Sequence, residues 1–274
     1  MNRSYSELVP LRTSSRNPPL FCVHDGIFQQ MAAALQIDQS LYGLRPINLH
    51  TTSVSVEQLA ASHVENIRML QPRGPYRIIG YSFGGMVAYE MATLLANKGE
   101  VVALLALVDT LNPSFRSDLS PAELVKFRKT YLADRIRKYI GNLRRGRIES
   151  IGADATRFIA NKVKPVAWKI TKRVYQALDR PLPNRSDAVI FKEMIESYTP
   201  KEYRGHLVLF RVKKAMGGGT EFDDDISLGW SKYVKNGVDI QFVEGGHETV
   251  MHMPYVLSLA SKLEPYLADI GRAS

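Results

Sequence analysis

The residues best suited to chemistry in this 274-residue chain lie in the stretch RIIGYSFGGMVAYEMATLLANKG, from Arg77 to Gly99. Ser82 stands there between Gly80 and Gly84, giving the pattern G-x-S-x-G where an apolar run gives way to a helix-like one. Between a strand and a helix, this pattern forms a turn so sharp that its flanking positions tolerate almost no side chain. The serine hydroxyl is then exposed near the positive end of the helix. The pattern therefore predicts a nucleophilic serine, whereas a plain glycine-rich turn is the alternative.

A serine nucleophile needs a general base, because a free hydroxyl attacks poorly at neutral pH. Of the six histidines, His247 suits this role best, because it follows the last predicted strand in VEGGHETVM, behind two glycines that leave room for the ring. It also follows the serine in the chain, as the hydrolase order of nucleophile, acid and histidine requires. The other histidines lie in predicted loops, helices or strand ends that suit a base less well: His24, His50, His63, His206 and His252.

A third residue must hold the imidazole in the right tautomer and stabilise its charged form. Asp109 ends the apolar stretch VVALLALVD, directly after the strand that follows the serine helix. Asp223, Asp224 and Asp225 lie one strand later, where many hydrolases place this acid, but they follow three glycines and resemble an exposed loop. The residues alone favour Asp109 as the acid and leave Asp223–Asp225 as the alternative.

The elements that carry these residues alternate between strands and helices, which predicts an α/β fold with a mostly parallel sheet flanked by helices. Residues 1–19 read as an N-terminal linker, and residues 20–274 as one sheet domain. A helical insertion at about 113–200 interrupts that domain, and we expect it to cover the carboxyl edge of the sheet, where ligands bind. The predicted strands are LFCV, LYGLRPI, YRIIG, VVALLALVD, HLVLFRV and GVDIQFVEG, and a capping box at Ser55–Gln58 predicts a helix start.

Composition excludes several classes of function. The longest apolar run, Val101 to Val108, is far shorter than the roughly 20 residues of a membrane span, and the N-terminus has no signal-peptide core. Cys22, the single cysteine, lies in a predicted strand and reads as a core residue. We therefore expect a cytoplasmic protein with no membrane span. We also expect no nucleic-acid partner, no metal and no cofactor, since no ligand cluster or phosphate-binding loop is present.

The positive charge of the chain is concentrated in the insertion. Between Pro121 and Arg185 there are 17 Lys or Arg against 5 Asp or Glu, a net of +12, whereas the whole chain carries +9. Such a segment attracts acidic or phosphorylated partners, although a solvated helical surface has the same composition.

Five stretches together resemble the thioesterase domains of nonribosomal peptide and polyketide synthases, in the α/β-hydrolase superfamily. They are LVPLRTSSRNPPLFCVH, GYSFGGMVAYEMA, LALVD, YRGHLVLFR with the later Gly229-Trp230, and VEGGH. The resemblance spans about residues 8–113 and 198–267 and leaves the insertion unmatched. It implies an α/β-hydrolase fold in which the insertion is a variable helical lid.

The resemblance also implies roles for particular residues. In that family the acid follows the strand after the nucleophile helix, which favours Asp109, and the N–H of Phe83 supplies one oxyanion-hole donor. The second donor comes from the loop after the first family strand, which implies Gly26. This chain departs from the family pattern H-P-x-G-G there, because it reads His24-Asp25-Gly26-Ile27-Phe28. The path of that loop is therefore open, and His24 is expected to shape it.

The resemblance implies a serine thioesterase that releases an acyl or peptidyl chain from the 4'-phosphopantetheine arm of a carrier protein. Release would proceed through an acyl-serine, by hydrolysis or cyclisation, with Ser82, His247 and Asp109 as the catalytic residues. Other hypotheses remain: a stand-alone editing (type II) thioesterase, a generic carboxylesterase, or a hydrolase-fold binding protein without catalysis.

Overall fold

The structure is a computed structural model that describes residues 6–14, 17–46, 54–115, 125, 187–214 and 226–268. Most of the predicted insertion lies outside the described residues, including its expected helices and basic segment. The Gly217–Gly219 and Asp223–Asp225 stretches also lie outside them.

Seven strands and five helices make up the described fold, with short 3-10 turns at Gly26–Phe28 and Pro113–Phe115. In chain order they are β1 (Ser6–Arg12), β2 (Leu20–Val23), α1 (Gln29–Ala34), β3 (Leu41–Pro46), α2 (Val56–Leu70), β4 (Tyr76–Tyr81), α3 (Phe83–Asn97), β5 (Val102–Val108), α4 (Asp187–Ser197), β6 (Leu207–Lys214), β7 (Val238–Gly246) and α5 (Val256–Ala268).

All seven strands join one sheet in the order β1-β3-β2-β4-β5-β6-β7. Only β1 runs antiparallel to its neighbour; every other pair is parallel. Because parallel strands require crossover connections, helices cover both faces of the sheet. The predicted α/β class, a mostly parallel sheet flanked by helices, is confirmed.

Alternating side chains divide the core between the two faces of the sheet. On one face, Leu105 and Leu107 of β5 pack in a cluster with α2, α3 and α4. On the other, Leu104, Ala106 and Val108 pack in a cluster with α1 and α5. Both faces of this strand are therefore buried, which explains its continuous apolar sequence.

The helix that packs beside α3 begins as the sequence predicts. The Ser55 side chain accepts a hydrogen bond from the Gln58 N–H at 3.2 Å, and the Gln58 side chain accepts one from the Ser55 N–H at 3.0 Å. This capping box satisfies two N–H groups that the helix itself leaves free. The observed helix ends at Leu70, as expected.

The expectation of a linker over residues 1–19 is wrong for Ser6–Arg12, which form β1. This strand pairs with β3 from Ser6 opposite Pro46 to Arg12 opposite Leu41, with an irregularity after Pro10. Leu8 and Leu11 are only partly buried against the core clusters. An edge strand that contains a proline and buries little apolar surface gives a weak sequence signal, yet its backbone completes the hydrogen bonding of β3.

The chain that returns from the insertion is anchored on α3. The Tyr198 hydroxyl donates to Glu90 Oε2 at 3.0 Å, and both side chains are buried. Tyr89 precedes Glu90 on α3, and its hydroxyl donates to the carbonyl oxygen of Lys201 at 2.7 Å. These contacts fix the end of the insertion to α3, the helix that directly follows Ser82.

Among the helices in the described part of the chain, none is long and apolar enough to cross a membrane.

Candidate active site

Ser82 occupies a sharp turn between the end of β4 and the start of α3. Its backbone has φ 52° and ψ −120°, a left-handed conformation that a residue with a side chain adopts only at a cost. The surrounding backbone holds this conformation: the Ser82 N–H donates to Val108 O, and the Gly85 N–H donates to Ser82 O, both at 3.0 Å. The turn is a nucleophile elbow in its geometry.

The two glycines of G-x-S-x-G are required by close backbone contacts. A Cβ at Gly80 would lie 2.2 Å from the carbonyl oxygen of Gly84 and 2.7 Å from the Cα of Gly85. A Cβ at Gly84 would lie 2.8 Å from His24 Nδ1 and 2.9 Å from Val23 O. Neither position has room for a methyl group, as the motif predicts.

The structure brings Ser82, His247 and Asp109 together into one hydrogen-bonded row. Ser82 Oγ lies 3.1 Å from His247 Nε2, and His247 Nδ1 lies 2.6 Å from Asp109 Oδ2. Ser82, His247 and Asp109 follow the carboxyl ends of three different strands, β4, β7 and β5, at one edge of the sheet. This is the geometry of a serine nucleophile, a base and an orienting acid.

Asp109 is held rigidly at the carboxyl end of β5. Its φ of 43° is left-handed, and its N–H donates to Phe210 O at 2.7 Å, which ties the turn to β6. The residue is only 8% exposed. The competing acids at Asp223–Asp225 lie outside the described residues, so the structure compares no distance for them.

The other histidines are distributed as follows. His63 is buried within α2, and His206 and His252 are exposed. His252 Nδ1 lies 3.2 Å from Gln30 Nε2. His50 lies outside the described residues. Among the histidines that the structure describes, His247 is the one whose ring is hydrogen-bonded to the Ser82 hydroxyl.

The proposed oxyanion donors differ in their surroundings. Phe83 is the first residue of α3, so its N–H has no acceptor within the helix. Gly26 begins a 3-10 turn after β2, and its backbone makes a small contribution to lowering the pKa of Asp25. The Asp25 carboxylate binds Arg45, with Oδ2 2.6 Å from Nη2 and 2.9 Å from Nε. The position of Phe83 is therefore compatible with an oxyanion donor, and the roles of both Phe83 and Gly26 stay predictions.

Asp25 and Arg45 restrain the loop in which the proline and one glycine of the family pattern are missing. Burial tends to raise the pKa of Asp25, but the hydrogen bond and charge of Arg45 outweigh it, so the pKa is lowered. The carboxylate is therefore ionised at neutral pH. The ion pair joins the loop after β2 to β3.

His24 packs directly against the nucleophile elbow, consistent with its expected structural role. Its ring centroid lies 5.8 Å from that of Phe83 and 6.1 Å from that of Phe191 in α4. Burial lowers the pKa of His24 to about 4, against a smaller opposing effect of Asp25. The ring is therefore neutral at pH 7 and packs as an aromatic group beside the serine.

Tyr81 is a functional-site residue that the sequence did not single out. It is the variable residue before Ser82, and its hydroxyl donates to the backbone carbonyl of His247. The two rings lie 5.1 Å apart between centroids. The motif leaves this position free, so only the tertiary structure reveals the contact.

Cys22 is fully buried in β2, and burial raises the pKa of its thiol. Its protonated, inaccessible sulfur suits a core residue, not a nucleophile. Within the described ranges, no group of three or more His, Cys, Asp or Glu is placed to hold a metal ion.

Sheet order, nucleophile elbow and hydrogen-bonded row together define an α/β-hydrolase fold. Comparison with known proteins matches part of the chain to a family: residues 18–146 match the family described as Thioesterase domain. The matched range contains Ser82 and Asp109, and it begins just before β2.

The similar curated proteins are large synthetases. The chain is 28% identical over 251 residues to malpibaldin synthetase of Mortierella alpina, a match that covers 89% of this chain and 4% of that protein. It is 26% identical over 290 residues to nonribosomal peptide synthetase atqA of Aspergillus terreus, covering 97% of this chain and 29% of that protein. The chain thus spans less than a third of the length of either relative.

Solved structures with the same fold include thioesterase domains. The NocB thioesterase domain, in covalent complex with a fluorophosphonate nocardicin G analog, superposes with a TM-score of 0.60 at 21% identity, covering 96% of this chain and 99% of that one. The four-domain nonribosomal peptide synthetase AB3403 gives a TM-score of 0.60 at 20% identity, covering 94% of this chain and 20% of that one. The α/β-hydrolase fold and the resemblance to synthase thioesterase domains, both expected from the sequence, are confirmed.

Proposed function

We propose that this chain is a serine thioesterase that releases an acyl or peptidyl chain from the phosphopantetheine arm of a carrier protein. The observation that carries the proposal is the row Ser82–His247–Asp109, with distances of 3.1 and 2.6 Å, on a chain that matches the thioesterase-domain family. The similarity to nonribosomal peptide synthetases supports a carrier protein as the partner.

In the proposed first step, Ser82 Oγ attacks the thioester carbonyl while His247 Nε2 takes its proton. Asp109 accepts a hydrogen bond from the Nδ1–H of His247, which fixes the tautomer with a free Nε2 lone pair. The negative oxygen is held by the Phe83 N–H and, as a further proposal, by Gly26. Each such donor lowers the barrier by about 3–4 kcal/mol.

The intermediate then collapses into an acyl-serine. The C–S bond breaks, and the imidazolium returns its proton to the departing pantetheine sulfur, so the carrier leaves as a thiol. In the second half, His247 takes a proton from water, or from an amine or hydroxyl of the bound chain, which attacks the acyl-serine. Water gives a free acid, whereas an internal nucleophile gives a ring, and Ser82 is restored.

Intact-protein mass spectrometry tests this proposal. The protein is mixed with a panel of acyl-pantetheine and peptidyl-pantetheine thioesters, with Ser82→Ala alongside as a control whose fold is checked by circular dichroism. We expect a transient mass gain equal to the acyl group on the parent protein only, decaying as free acid or ring appears. Turnover of oxygen esters without thioester loading would instead indicate a carboxylesterase. If neither class of ester reacts, the proposal is wrong and a binding role takes its place.

A further inference from the structure

Tyr81 contacts the histidine of the site in two ways. Its hydroxyl donates to the backbone carbonyl of His247, and its ring lies 5.1 Å from the imidazole, at an interplanar angle of 31°. Tyr81 is the last residue of β4, one position before Ser82. One side chain therefore joins the nucleophile strand to the loop that carries the base.

That loop needs support because of its place in the sheet. His247 follows β7, the last strand at one edge, and β7 is separated from β4 by β5 and β6. The β7 side chains are mostly half-buried, so packing alone fixes this edge less firmly than the central strands. Asp109 holds the imidazole through Nδ1, but a single hydrogen bond leaves the ring free to swing about it.

We propose that Tyr81 is a positioning residue for the base, whose hydroxyl and ring together hold His247 Nε2 within hydrogen-bond distance of Ser82 Oγ. This inference rests on the proposed function. The Tyr81 hydroxyl donates a hydrogen bond to the backbone carbonyl of His247, and the Tyr81 ring limits rotation of the imidazole. Asp109 fixes Nδ1 of that imidazole. Together these three contacts fix both the place and the plane of the base.

The Tyr81 hydroxyl remains a hydrogen-bond donor at the near-neutral pH of the assay. Burial raises the pKa of Tyr81 to about 12, and the negative charges of Asp109 and Glu248 add to the effect. The hydroxyl therefore stays protonated near neutral pH and continues to donate to the His247 carbonyl.

The test is the rate at which a fluorophosphonate modifies Ser82, measured by intact mass, because this probe requires the serine and its base but no particular acyl chain. Tyr81→Phe keeps the ring and removes the hydroxyl. We expect the maximal labelling rate to fall about tenfold, the effect of one hydrogen bond, with the probe concentration at half-maximal rate unchanged. Tyr266→Phe is the matched control: its hydroxyl donates to Asp239 away from the site, and burial likewise raises the pKa of Tyr266 to about 12. This control should label at the parent rate.

A double variant separates positioning of the base from a general structural role. If Tyr81 acts through His247, adding Tyr81→Phe to His247→Ala should not slow labelling any further. A further slowing, or a parent rate in Tyr81→Phe alone, would overturn the inference. If the parent protein itself is not labelled at Ser82, the proposed function fails, and the inference fails with it.

Discussion

Substitution of Gly80 by alanine tests whether backbone packing at the elbow sets the position of the nucleophile. The added Cβ would lie 2.2 Å from the carbonyl oxygen of Gly84. An ordinary carbon–oxygen contact is at least about 3.2 Å, so the two backbone segments must separate by about 1 Å. Both segments flank Ser82, and its hydroxyl lies 3.1 Å from His247 Nε2, so a shift of this size breaks the hydrogen bond.

The expected effects follow from that displacement. A misplacement of about 1 Å costs on the order of 100-fold in rate, so fluorophosphonate labelling of Ser82 should slow by that factor. Overpacking should also lower the free energy of unfolding in urea by roughly 1–3 kcal/mol. Labelling and unfolding at parent values would refute the reasoning, because the methyl group would then have found space that the backbone contacts exclude.

A second glycine provides the matched comparison. A Cβ at Gly85 would lie 1.9 Å from Thr110 Oγ1 and 2.8 Å from both Thr110 Cβ and Cγ2. Here the obstacle is a side chain, so Thr110→Gly removes all three atoms. Stability lost in Gly85→Ala should therefore be partly restored in the double variant, whereas no side-chain removal can relieve Gly80→Ala, whose obstacles are backbone atoms.

Two further predictions concern carboxylates. Asp109→Asn should slow acyl-serine formation on the order of 10⁴-fold, the loss that this change causes in Ser-His-Asp enzymes by favouring the wrong tautomer. A larger loss on neutralising Asp223, Asp224 and Asp225 together would move the acid to that loop. Burial raises the pKa of Glu90, and the hydrogen bond from Tyr198 opposes this with a smaller effect. The ionised carboxylate therefore lowers the free energy of unfolding above that pKa, and this loss of stability disappears as the pH falls through the pKa. Glu90→Gln should thus raise the free energy of unfolding at pH 8 and reduce the difference in that free energy between pH 8 and pH 5, both measured in urea. A decrease at pH 8 would contradict this.

Local sequence patterns predicted most of the sheet and its helices. β2 was expected at LFCV and is observed at Leu20–Val23, and the capping box at Ser55 forms as its residue types require. These elements depend on short-range properties: apolar continuity, side-chain capping and turn chemistry. β1 escaped detection because its stability comes from pairing with β3, a contact with little local signature.

The nucleophile elbow can be predicted from local sequence alone, since G-x-S-x-G between a strand and a helix forms a turn whose flanking positions have no room for a side chain. Local sequence also limited the base and the acid to a few positions after predicted strands. That His247 lies between Ser82 and Asp109 follows only from the tertiary structure, because residues 165 and 138 positions apart along the chain approach within hydrogen-bond distance only when the parallel strands align their carboxyl ends. The Tyr81 contact and the Asp25–Arg45 ion pair belong to the same category. They join segments whose spacing carries no pattern, and their existence depends on the order of strands in the sheet.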